Sequence, residues 1–185
     1  MGLLGRWLSH SVSTALALAL GILAMQAPAF TREYAAALLQ VATDARRDID
    51  QREESARQFY GISAWQDDDL VSALKSREPS NAETLARSIG RAADLRAAEE
   101  GIAVRPALLQ PLAAFYGVLR DPNGYRRPIW EMALGTYSLQ LDLSFAAAIY
   151  GLAGVMLGSL VAELVIAPFP RFMARRRRGL GWPVV

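Results

Sequence analysis

The sequence predicts an all-α membrane protein in which two transmembrane helices flank an extracytoplasmic helical hairpin or stalk domain. Three observations lead there. The chain is 52% hydrophobic yet 21% charged over 185 residues, a pairing that suits neither an ordinary soluble domain nor a fully embedded one, so the two kinds of residue must be segregated. Two uncharged stretches are each long enough to cross a bilayer, which takes about 20 apolar residues at 1.5 Å apiece. Between them there is almost no strand signal: the alternation of polar and apolar residues that marks a half-buried strand is confined to residues 136–145, at the edge of the second stretch.

The first span is read over residues 7–30, after a short N-terminal segment 1–6. No charge falls between Arg6 and Arg32. Ala27-Pro28-Ala29 before Phe30 also has the small-x-small form of a secretory cleavage site, so a cleaved signal is the rival reading. The stretch is longer than a usual signal core, which favours an anchor. The second span is read over residues 143–169, where Leu143 to Ala162 is uncharged. The basic tail 170–185 follows. Orientation comes from basic residues near the span ends. Arg6, Arg171, Arg175, Arg176, Arg177 and Arg178 lie on one side, against Arg32 on the other. That places both termini in the cytoplasm and residues 31–142 in the periplasm, in a bacterial inner membrane. Arginine supplies 19 of the 20 basic residues, which fits a GC-rich bacterial coding bias. The five tail arginines are expected to contact anionic lipid headgroups rather than nucleic acid, because they directly follow a span.

Small residues recur on the second span at Ala147, Gly151, Gly154, Gly158 and Ala162, spaced by three and four. That puts them on one stripe, where backbones can approach closely. Ser13, Ala17 and Gly21 offer a matching row on the first span. The expectation is a packed helix pair or a groove for another membrane helix. The competing view is that Gly and Ala are simply common in apolar helices. Glu163 interrupts the second span, and an ionisable group there is paired, neutralised or functional. His10, at the same end of the first span, is its candidate partner; otherwise Glu163 reaches the headgroups beside the arginines.

Residues 31–142 hold 14 Lys+Arg and 17 Asp+Glu, a net of −3. Arg32 to Tyr60 reads as one charged helix. Leu38, Ala45, Arg52 and Phe59 repeat at sevens, with Ala42, Ile49 and Ala56 between them, a seam that fits a hairpin or an oligomer. Gly61 stops it. Ser63 with Gln66 and Ser80 with Glu83 have capping-box spacing and open two further helices. Asp67, Asp68 and Asp69 sit in the first turn of the former; consecutive helical residues point 100° apart and do not converge on a metal. Gly101 is expected to end the latter helix. Another helix runs from Pro106 to Leu119, with Pro111 a kink or break. Its Leu108, Leu109, Leu112, Phe115, Tyr116 and Leu119 form a wide face expected to be buried against Tyr34–Phe59. Asp121-Pro122-Asn123-Gly124 reads as a turn, and Arg126-Arg127-Pro128 and Trp130 as an irregular return to the membrane.

The absence of cysteine and the single histidine exclude disulfides, thiolate ligation, a cysteine nucleophile and multi-histidine metal sites. No phosphate loop, nucleophile elbow or H-E-x-x-H motif occurs, and neither a catalytic residue nor a cofactor is expected. Gln26-Ala27-Pro28-Ala29-Phe30 with Arg32, Tyr34 and Leu38, and the second span Phe145 to Leu164 with Gly154-xxx-Gly158, resemble an uncharacterised bacterial family of short two-span inner-membrane proteins, a domain of unknown function. The resemblance covers both ends and the middle by length and helical character. It implies fold and location, with no activity to carry over. The expected function is a noncatalytic scaffold or accessory subunit, bound to other membrane proteins or to copies of itself. The alternative is an envelope enzyme or transport component using Glu163 or the periplasmic carboxylates.

Overall fold

The structure, a computed structural model, describes residues 3–64, 66–139 and 144–166. Among them are seven α-helices and no strand: α1 (Leu3–Met25), α2 (Ala27–Tyr60), α3 (Asp67–Lys75), α4 (Pro79–Ala103), α5 (Gln110–Leu119), α6 (Arg126–Thr136) and α7 (Phe145–Ile166). The chain divides into two compact units. One joins the chain ends, Met1–Ala29 with Leu139–Val185, and the other is the continuous stretch Phe30–Ser138.

Helix α1 closes where Pro28, in the first turn of α2, has no N–H to return to the carbonyl of Ala24. The Gln26 N–H turns back onto the Leu23 carbonyl at 3.1 Å instead. Helix α7 starts cleanly because Ser144 caps it, its hydroxyl accepting the Ala147 N–H at 3.2 Å.

The second unit has two adjoining cores along α2. In the first, Phe30, Tyr34, Leu38 and Ala42 meet Leu95 and Ile102 of α4, Ala114 of α5, and Ile129 and Ala133 of α6. In the other, Ile49 and Ala56 meet Leu70 and Leu74 of α3 and Ala82, Leu85 and Ala92 of α4. Early α2 therefore pairs with late α4, and late α2 with early α4, an antiparallel run turned round by α3.

Only part of the heptad seam faces inward. Leu38 is buried, Ala45 half-buried, Arg52 exposed and Phe59 82% exposed. A straight helix with 3.6 residues per turn drifts about 20° per heptad against a sevenfold row, so this row rotates out to solvent while the row Ala42, Ile49, Ala56 stays in. The drift brings Glu53 inside, at 2% exposure.

Several helix ends differ from the sequence expectations. The N-cap of α3 is Gln66, with no side-chain cap bond, and Ser63 lies outside the helix; the three aspartates meet the open N–H end of α3 instead. Helix α4 starts at Pro79 after Glu78, because a proline suits a position whose N–H has no helical partner. Ser80 is therefore inside the helix. Gly101 does not end α4, because burial of Ile102 carries the helix to Ala103. Pro106–Leu109 forms a separate turn, and Pro111 lies at the start of α5. The stretch after Gly124 is helix α6, not irregular chain. Gly124 takes φ +70°, and Asp121 Oδ2 accepts the N–H groups of Arg126 and Arg127 at 2.8 and 3.2 Å.

The largest departure concerns α5. Its wide apolar face is not buried: Leu109, Leu112, Phe115, Tyr116 and Leu119 are exposed, while the narrower face of Pro111 and Ala114 meets the core.

Candidate functional site

The first unit is built around the contact of α1 with α7, and at Gly154 and Gly158 this contact reaches the backbone of α1. A Cβ placed on Gly154 would stand 2.6 Å from the Leu20 carbonyl oxygen and 3.0 Å from the Cα of Gly21. One on Gly158 would stand 2.7 Å from the Cα of Ala17, and one on Gly21 2.6 Å from a Val155 methyl. Residues 17, 21 and 25 thus meet 158, 154 and 151 in turn, so the helices are antiparallel. Gly21, Gly151, Gly154, Gly158, Ala17, Ala147 and Ala162 are all buried, and Ser13 is half-buried. On α1 the sequence did not single out Leu20, Ala24 and Met25, which meet the glycines of α7. Their signal was positional: they lie three or four residues beyond Ala17 and Gly21, on the same ridge.

Large side chains go the other way. Leu18, Ile22 and Leu23 of α1, with Leu152, Leu157 and Leu160 of α7, are each more than half exposed. Water would drive the opposite sorting, with leucines in and small residues out. In lipid, where leucine gains nothing by hiding from the solvent, close backbone packing is what holds helices together. Both helices are long and apolar enough to cross a membrane, and only 33% of the most apolar stretch of α7 is buried, whereas a soluble core helix is mostly covered. Two hydroxyls of the pair are satisfied within their own helix: Thr14 donates to the His10 carbonyl at 3.0 Å and Ser159 to the Val155 carbonyl at 2.9 Å.

His10 and Glu163 are both exposed. Among the described residues no hydrogen bond or ion pair joins them, so the structure does not bring this candidate pair together. Arg171, Arg175, Arg176, Arg177 and Arg178 lie outside the described residues.

A charged cluster in the second unit was not singled out from the sequence. Arg46 makes a two-pronged contact with Asp67, through Nη1 to Oδ2 and Nη2 to Oδ1, and its Nε donates to Asp50 at 2.8 Å. Buried Glu53 accepts from Arg57 at 3.1 Å and lies 3.8 Å from Arg46, while its Oε1 has no hydrogen-bond partner among the described residues. Burial, and then the nearby Asp67 charge, push the Glu53 carboxyl above its usual range against the pull of Arg46 and Arg57. The Arg46 hydrogen bond holds Asp67 below its own. The cluster fastens the start of α3 to α2. No group of three or more metal-ligating side chains occurs among the described residues.

The raised Glu53 carboxyl has a consequence for stability. A group raised on folding contributes fully at low pH and loses that contribution as pH climbs through its folded value. Glu53→Gln is therefore expected to raise the unfolding midpoint relative to the parent above the ordinary glutamate range, with the gap closing on acidification. Denaturation of the full chain in detergent at a series of pH values measures it. A gap that widens on acidification would contradict the protonation assignment.

A family model with the description "Protein of unknown function (DUF2937)" matches residues 8–176. No curated protein and no solved structure matches the chain.

Proposed function

The chain belongs to the family DUF2937, whose function is unknown, and we propose from its own geometry that it is a noncatalytic, membrane-anchored scaffold or accessory subunit. In this reading α1 and α7 cross a bacterial inner membrane as an antiparallel pair. Both termini are cytoplasmic, and residues 31–142 present a helical periplasmic unit to a larger membrane protein complex. The observation that carries it is the sorting of the helix pair, small residues in and leucines out. The six arginines that flank the spans on the terminal side, against Arg32 within about 15 residues of the spans on the other, support the orientation.

Affinity purification of the full-length chain in mild detergent, with mass spectrometric identification and quantitation, tests the scaffold. A partner in fixed ratio is expected; recovery of the chain alone in every detergent tried overturns it. Orientation has its own measurement, helped by a chain without cysteine. A single cysteine at exposed Ala86 should react with an impermeant maleimide in cells whose outer membrane has been opened. One at Gly181 should react only after lysis. The reverse pattern would invert the topology.

A further inference from the structure

Helix α5 is uncharged over all ten residues, QPLAAFYGVL, and it is apolar on more than the face it buries. Leu112 is 60% exposed, Phe115 54% and Leu119 68%, and with Tyr116 they fall at i, i+3, i+4 and i+7, one continuous stripe. A helix apolar on both sides calls for a cover on each, and the core supplies one only through Pro111 and Ala114.

Two observations say what the other cover is. The first is nearness to the residue at which the second unit begins. The Trp130 ring lies 4.6 Å from that of Phe30 and 6.4 Å from that of Phe115. Phe30 is the first residue of this unit and directly follows Ala29 in the chain, so a single indole separates the exposed stripe from the residue that enters the unit. The second is charge. Residues 101–120 are the longest acid-free run between the spans, and they carry Arg105 and Arg120 in a segment of net −3. The two arginines bracket α5, and Arg120 lies over the Tyr116 ring at 4.8 Å. An apolar stripe with aromatic rings, bracketed by cations and free of acid, is the composition of a helix lying in the headgroup boundary of an anionic bilayer.

We infer that α5 is an interfacial helix: its stripe Leu112, Phe115, Tyr116 and Leu119 seats in an anionic lipid surface, with Arg105 and Arg120 on the headgroups. This rests on the membrane-anchored reading above. The inserted stripe would bury about 5–10 Å below the headgroup plane, and would add a third attachment to those made by the two spans.

The test uses the full chain in nanodiscs containing phosphatidylglycerol. Single cysteines replace Leu112, Phe115 or Leu119, and each carries a spin label whose access to oxygen and to an aqueous nickel chelate reports its depth. Exposed Leu18 and Leu157 serve as span positions and exposed Arg52 as an aqueous one. The expected result is oxygen-favoured access at the three α5 positions, at a depth between those of Arg52 and Leu157. Chelate-favoured access at all three, with Leu18 and Leu157 still in lipid, overturns the inference and leaves the anchors standing. Protection from both reagents also overturns it, by showing a protein cover instead. Aqueous access at Leu18 and Leu157 would show that the anchored reading itself has failed.

Discussion

Gly154→Leu is expected to separate α1 from α7. The new side chain would begin with a Cβ 2.6 Å from the Leu20 carbonyl oxygen and 3.0 Å from the Cα of Gly21. Neither atom can swing aside, since both are backbone in the middle of a helix. The helices must move apart, and the close contacts above and below Gly154 go with it. Overpacking of this kind costs about 1–3 kcal/mol, comparable to the whole association energy of many membrane helix pairs. Spin labels on cysteines at exposed Leu23 and Leu152 would measure the separation in nanodiscs. The parent should give one narrow distance, and the variant a broad, longer distribution. Gly151→Ala is the contrast, because the added Cβ crowds the Met25 Cγ and Sδ, atoms of an unbranched side chain that can turn away, while the Gly21 carbonyl oxygen is at an ordinary 3.7 Å. It should keep the narrow distance. Equal effects at both positions would show that the seam is not read correctly at the level of individual residues.

The second large effect belongs to the other unit. Leu38 has no exposed surface and sits where α2, α4, α5 and α6 converge. Leu38→Ala removes its contacts and leaves a void that four helices cannot all collapse into, at a cost of about 2–5 kcal/mol. In a unit of this size that is on the order of 10 °C in the unfolding midpoint. Leu39, its neighbour, is 44% exposed, and Leu39→Ala is expected to lose about 1 kcal/mol or less. Circular dichroism on heating, in detergent, compares them. Similar losses would mean that α2 is rotated from the register described.

Much of this was legible in the sequence. The uncharged stretches, the small-residue rows, the stop at Gly61 with its φ of +62° and the turn at Gly124 are local signals, each visible without knowing what packs where. Glu53 was not legible. It reads as one of many charges on a solvated helix, and only the drift of a straight helix against a heptad row turns it inward. Helix α6 was hidden because Arg126-Arg127-Pro128 looks like a breaker, while the cap that starts the helix comes from Asp121, upstream of the turn. The α5 face misled for a different reason. Leu112, Phe115 and Leu119 have the spacing of a core face, and spacing says that a surface needs a cover without saying which. On the helix pair the rows on each strand of the seam were visible, but the contacts of Leu20, Ala24 and Met25 depend on the relative offset of two helices far apart in the chain.

That distance has a consequence for how the molecule is made. Helix α1 emerges first and its partner α7 begins at Phe145. At about 5–20 residues per second, on the order of ten seconds of synthesis separates the two. The unit between them is continuous in sequence, and the buried residues of both its cores, from Phe30 to Ala133, are all made before α7. In the membrane-anchored reading, the groove of Ala17 and Gly21 faces the bilayer unoccupied during that interval, open to any neighbouring helix with a small-residue ridge. Helix α7 must therefore arrive as a competitor for its own place, and its three glycines, which admit the close approach to α1, favour it.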